Sequence, residues 1–158
     1  MTEKIKLLLA EDELVDADIY TEKFNMKGFI CRTATNVFAA VKTVEDGFSP
    51  EVAIIDALLP EGGTRMIETE SYGLAGGLLV CNWLLKNYSS RCRTIMWCGL
   101  GGFRWQAQRA GAWAYVVKPT HLEYIPELWE AINRGALLPS EMGKPTRKFS
   151  RKDEKLPD

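Results

Sequence analysis

Several short apolar runs in this chain end in residues able to do chemistry. IKLLLA (residues 5–10) is followed by Glu11 and Asp12, and VAII (52–55) by Asp56. TIMW (94–97) leads to Cys98 and Gly99, and AWAYVV (112–117) to Lys118 and Pro119. An apolar run implies burial, and a carboxylate at its end is costly to bury unless something pairs with it. Three carboxylates drawn into one crevice would also repel one another unless a cation neutralised them. A hard divalent ion with oxygen ligands, Mg²⁺ for instance, resolves that conflict and keeps positions open for water and phosphate oxygens. With Lys118 adding a second positive charge, Asp56 would stand between ion and ammonium as the nucleophile of a phosphoryl transfer.

Singly, each feature has a plainer meaning. Glu-Asp after a strand often begins a solvated loop or caps a helix, and Lys-Pro is common punctuation. Joint placement is what carries weight, so the elements that would bring these residues together decide the matter.

The chain alternates apolar runs with amphipathic stretches. Residues 5–10 read as a buried strand. Over residues 13–27, Val15/Ile19 and Tyr20/Phe24 recur four apart, as on one helix face, and Gly28 supplies the stop. Residues 29–33 make a second strand. Asn36 is suited to cap a helix whose Val37, Ala40, Val41 and Val44 share one stripe, closed by Gly47 and Pro50. Strand three follows at 52–56, a largely buried helix at 77–87, strand four at 94–98, a short helix at 103–110 and strand five at 112–117. A last helix begins near His121, with Pro126 in or near its first turn and Ile125, Leu128, Trp129 and Ile132 on one face.

Five β/α units with near-continuously apolar strands predict an α/β fold. The arrangement is a five-stranded, doubly wound parallel sheet of flavodoxin-like order 2-1-3-4-5 with helices on both faces. Ligands of such sheets sit at the carboxyl ends of the strands. Strands one and three are neighbours in that order, which brings Glu11, Asp12 and Asp56 together.

Composition agrees with one ordinary domain: 158 residues, 46% apolar, 26% charged and a net charge of −1. No apolar run approaches the ~20 residues of a membrane span, and the N-terminus leaves no room for a signal peptide. Cys31, Cys81, Cys92 and Cys98 lack Cys-x-x-Cys spacing, and the chain has a single histidine, so a zinc site is not expected. Reduced thiols in a cytoplasmic protein are the expectation. The charge is uneven. Lys144, Arg147, Lys148, Arg151, Lys152 and Lys155 against Asp153, Glu154 and Asp158 give the last sixteen residues a net +3. Residues 138–158 are expected to be a basic, disordered tail to a domain spanning 1–137.

Taken together, LLLAEDE with its acidic pair, AIIDALLP with proline four after the aspartate, and GAWAYVVKP with an aromatic three before the lysine resemble the receiver domain of two-component response regulators. The resemblance covers residues 4–135, and the 44 positions from Asp12 to Asp56 fit it. It implies Asp56 as phosphoacceptor, and Mg²⁺ held by Glu11, Asp12, Asp56 and the backbone carbonyl of Leu58. Lys118 would contact the phosphoryl group, and Tyr115 would be the aromatic whose rotamer reports activation. The partners implied are a sensor histidine kinase or phosphotransfer protein and a downstream protein target. With little chain after residue 135, no direct DNA binding is expected, and a homodimer is left open.

Two departures stand out. The family usually ends strand four with Thr or Ser, whose hydroxyl contacts the phosphoryl oxygen; here Cys98 stands there, and a thiol is a weak donor. Between Pro60 and the third helix the glycine-rich PEGGTRMIETESYGLAGG intervenes, an inserted loop near 62–76 where relatives pass quickly into the helix. Such a loop is expected to screen Asp56 or to meet a partner. The leading expectation is a stand-alone receiver, not an enzyme, with output through protein–protein interaction. An alternative is a pseudo-receiver, an interaction module not switched by phosphorylation. A phosphatase-like reading lacks the second aspartate two residues after the nucleophile, where Leu58 stands.

Overall fold

Alternation along the strands organises the core. The computed structural model describes residues 4–60, 76–88, 92–98, 104–117 and 146–147, with backbone alone at 98, 104, 105, 114, 117, 146 and 147. Its strands are β1 (Lys6–Ala10), β2 (Ile30–Ala34), β3 (Val52–Asp56), β4 (Arg93–Cys98), β5 (Ala114–Val117) and β6 (Thr146–Arg147). Its helices are α1 (Leu14–Met26), α2 (Val37–Glu45), α3 (Gly76–Tyr88) and α4 (Arg104–Arg109). The sheet runs β2-β1-β3-β4-β5-β6, and the first five strands are mutually parallel in the expected order.

Leu8, Ala10, Ala53, Ile55 and Met96 point to one side, where they pack with α2, α3 and Ala107 of α4. Leu7, Leu9, Val52, Ile54, Ile95 and Trp97 point to the other, against Tyr20 and Phe24 of α1. Both faces of the sheet are covered, which is why its strands read as apolar throughout rather than alternating.

The helices follow from local chemistry, with one correction. In α2 the Asn36 side chain accepts a hydrogen bond from the Ala39 N–H at 2.7 Å, and Val37, Ala40, Val41 and Val44 are all buried. Burying a valine contributes on the order of 2 kcal/mol. That outweighs the β-branched helix penalty of roughly 0.5 kcal/mol. In α1 the inward stripe is Ala17, Tyr20 and Phe24, whereas Val15 is 71% exposed and Ile19 only partly covered. The Val15/Ile19 pairing expected on the buried face is therefore wrong. Only residues in step with Tyr20 and Phe24 reach the sheet, and Val15 lies roughly 200° around the helix from Ala17. The chain leaves α1 through Gly28, whose φ of +97° suits glycine.

Near the other sheet edge, β5 starts two residues later than expected. The Ala112 N–H closes the end of α4 on the Ala107 carbonyl at 3.0 Å, and Trp113 donates to the Thr94 carbonyl at 2.8 Å. The sixth strand is a further difference, a two-residue antiparallel addition to β5 within the segment expected to lack structure. Expectations for the helix near His121 and for the glycine-rich loop fall on positions outside the described residues, except that Gly76 already opens α3.

The described thiols are packing groups. Burial pushes Cys81 up to about 12 and Cys31 up to about 11, in each case against a small lowering by a hydroxyl neighbour. None of the described helices is long and apolar enough to cross a membrane.

One contact ties the third helix to the end of β3. A Cβ added at Gly77 would overlap the Asp56 carbonyl oxygen and lie 2.9 Å from Ala57 Cα, while Gly77 N–H donates to the Ala57 carbonyl at 3.2 Å. Backbone atoms cannot yield as a side chain does, so Gly77→Ala is expected to cost about 2 kcal/mol. A urea titration showing an unchanged midpoint would refute that contact. At pH 8, Cys81 should resist thiol-modifying reagents in the native protein and react at once in denaturant, whereas rapid native labelling would contradict its packing role.

Candidate functional site

Strand parity puts two of the three carboxylates on one face. Leu7, Leu9 and then Glu11 share a side of β1 and its continuation, as Val52, Ile54 and Asp56 share a side of β3, and both sets face α1. Parallel pairing of Leu9 with Ile54 and Ala10 with Ile55 brings the two strand ends level. Asp12, one residue on, completes the group from the start of the loop. Carboxylate oxygens of Glu11, Asp12 and Asp56 all lie within 4.8 Å of one another. Glu11 is fully buried, Asp56 is 8% exposed and Asp12 is exposed, so the group is open on one side and walled on the other.

The surroundings hold these side chains in place. The Glu11 N–H donates to the Ala34 carbonyl at 3.0 Å, anchoring the end of β1 to β2. Asp56 Oδ1 accepts from the Leu58 N–H at 2.9 Å, and the Leu59 N–H reaches the Asp56 carbonyl at 3.3 Å. Together they form a tight turn after the strand. The Val37 N–H then donates to the Pro60 carbonyl at 2.8 Å, fastening that turn to the first residue of α2. Leu58 is 47% exposed.

A floor for the site was not foreseen. Trp97 is the register partner of Asp56 on β4 and is fully buried, with its ring edge-on to Tyr20 at 4.7 Å between centroids. Desolvation, then the charges of Asp16 and Glu11, raise the Tyr20 hydroxyl above its usual range. The signal available in the sequence was parity: Trp97 is two residues after Ile95 and so shares its α1-facing side.

Of the other expected residues, Tyr115 is 3% exposed and sits in the core cluster with Ala57, Leu59 and Met96. Cys98 ends β4 opposite Val117, where its backbone alone is described. Lys118 lies outside the described residues. The donor set fits a hard divalent cation: three carboxylates, no nitrogen or sulfur among them, close enough to share one ion. Glu11, Asp12 and Asp56 are the residues that would hold it.

The sequence matches no protein-family model and no curated protein. Solved structures do match it. A receiver domain protein of Methanospirillum hungatei superposes with a TM-score of 0.66 at 19% identity, covering 84% of this chain and 93% of its own. The response regulator TrrA of Thermotoga maritima, solved in complex with Mg²⁺ and BeF, gives 0.63 at 22% identity over 84% and 99%. CheY4 of Vibrio cholerae, a chemotaxis response regulator, gives 0.66 at 16% identity over 85% and 100%. Likeness at this level of identity speaks to architecture, and with the strand order it leads to one conclusion: the chain has the fold of CheY-like receiver domains.

Proposed function

We propose that this chain is a phosphoacceptor in two-component signalling, taking a phosphoryl group onto Asp56 with the help of Mg²⁺. The observation that carries this reading is the convergence of Glu11, Asp12 and Asp56 within 4.8 Å at the carboxyl end of a receiver-type sheet. The Mg²⁺–BeF complex of the Thermotoga maritima neighbour supports it by analogy of fold.

In this account the chain's residues divide the work. The Leu58 N–H, by holding Oδ1, fixes the rotation of the Asp56 carboxylate. A carboxylate oxygen attacks the phosphorus of a phosphohistidine in a donor protein. The P–N bond breaks as the new P–O bond forms, leaving an acyl phosphate on Asp56 and the imidazole to take up a proton. A bound divalent ion supplies charge neutralisation for the phosphoryl oxygens. Glu11, Asp12 and Asp56 would hold that ion, and Lys118 would be the group that contacts the phosphoryl oxygens. A thiol at Cys98, where the family usually has a hydroxyl, would be a weaker donor to the phosphoryl group. The chain accepts a group and passes on a signal rather than turning over substrate. Its partners are a histidine kinase or phosphotransfer protein and a downstream protein, and its setting is the cytoplasm.

Incubation with Mg²⁺ and a small-molecule phosphodonor, followed by intact mass, tests the assignment. One phosphoryl adduct is expected on the unaltered chain and none on Asp56→Asn; an adduct that survives Asp56→Asn would overturn it. No adduct combined with no metal binding would favour the pseudo-receiver. Asp12 is exposed, so Asp12→Asn should leave folding intact while weakening Mg²⁺ by about tenfold or more. Calorimetric titration giving equal affinities for the two proteins would remove Asp12 from the site.

A further inference from the structure

Among the described residues, β6 alone pairs with the outer side of β5, which would otherwise be an edge of the sheet. Such an edge readily accepts another strand. In this chain a strand is already there: Tyr115 stands opposite Arg147 and Val116 opposite Thr146, antiparallel, although every other pair in the sheet is parallel. The reversal matters. A sixth β/α unit would have added a parallel strand through a right-handed crossover. An antiparallel pair marks a segment laid on from outside the repeating architecture.

We propose that the β5 edge is a strand-addition site whose resident occupant is the chain's own basic C-terminal segment, held in cis. The occupant is suited to the task. Thr146 and Arg147 lie in KPTRKFSRK, a segment that belongs to the net +3 terminus of a chain whose total charge is −1. Charge therefore favours its return to the acidic remainder, and Thr has good strand propensity. Its hold is slight. Of two antiparallel residue pairs, one exchanges both N–H···O bonds and the other exchanges none. Two backbone hydrogen bonds make a latch that a longer extended segment of another protein could displace.

The location gives displacement a consequence. Tyr115 stands in register with Met96 on β4 and with Arg147 on β6, while its side chain is buried in the core. If Tyr115 reports the state of Asp56, a point that rests on the receiver reading above, occupancy of the edge and phosphorylation are linked. By reciprocity, each then biases the other. The edge itself does not depend on that reading, and it can be tested without metal or phosphodonor.

Backbone N–H groups alternate sides along a strand, so one of the Tyr115 and Val116 amides faces β6 and the other faces β4. Residue-resolved hydrogen exchange on the full chain separates them. In the unaltered protein both amides should be protected, to an extent independent of protein concentration. In the combined variant Thr146→Pro with Arg147→Pro, one of the two should exchange about five- to tenfold faster, as loss of one or two backbone hydrogen bonds requires. The other amide, and those of β1 and β3, should be unchanged, which shows that the sheet is intact. A peptide of residues 143–152 added to the variant should restore protection. An unprotected edge amide in the unaltered chain overturns the proposal irrespective of how the variant folds. So does equal exchange in the two proteins, and protection that rises with concentration assigns the occupant to a second copy and overturns the cis arrangement.

Discussion

Like charges at the ends of neighbouring parallel strands set the terms for the rest of this molecule. Side-chain parity leaves no choice about Glu11 and Asp56: each continues the α1-facing row of its strand, and the strands are hydrogen-bonded neighbours. Asp12 adds a third carboxylate within the same 4.8 Å. An arrangement of that kind is unfavourable by itself and becomes favourable once a small, highly charged cation is shared. The acidic end of the sheet therefore has the donor set and spacing that could hold a hard divalent ion.

Among the described residues, several of the contacts near that point are made by backbone atoms. The turn after β3 is closed by the Leu58 and Leu59 N–H groups, and Pro60 is fastened to the start of α2. Gly77 lets the first turn of α3 press directly on the Asp56 carbonyl. Below, Trp97 and Tyr20 fill the space between sheet and α1. A carboxylate so placed has little freedom to swing away from its neighbours. In sequence, the glycine-rich segment lies between Pro60, bonded to Val37, and Gly76, packed against Leu59 and Val37.

Much of this was legible from residue order because several signals agreed. In α2 a capping asparagine, an apolar stripe and a closing glycine all pointed the same way, and the helix formed as read. The strand ends were legible because apolar runs stop abruptly at charged residues. α1 was less so, since Val15/Ile19 and Tyr20/Phe24 have the same spacing and only the sheet beneath selects between them. The difference between buried Glu11 and exposed Asp12 follows from parity once β1 is placed, but two adjacent acids look equivalent beforehand. β6 could not be read at all: a two-residue strand is too short to leave an alternating pattern in the sequence. The role of Trp97 needed the register of β4 against β3, which is a tertiary fact.

The central claim is that Glu11, Asp12 and Asp56 act as one ion site with Asp56 as the reacting member. Carbon-detected NMR of the side-chain carboxyl groups, through addition of Mg²⁺ and then beryllofluoride, tests it most directly. The account predicts that all three carboxyl signals move together with a single saturation curve on adding Mg²⁺, and that Asp56 then undergoes the dominant second shift. Movement of exposed Asp12 alone, without saturation, or a second shift centred on any other carboxylate, would contradict it.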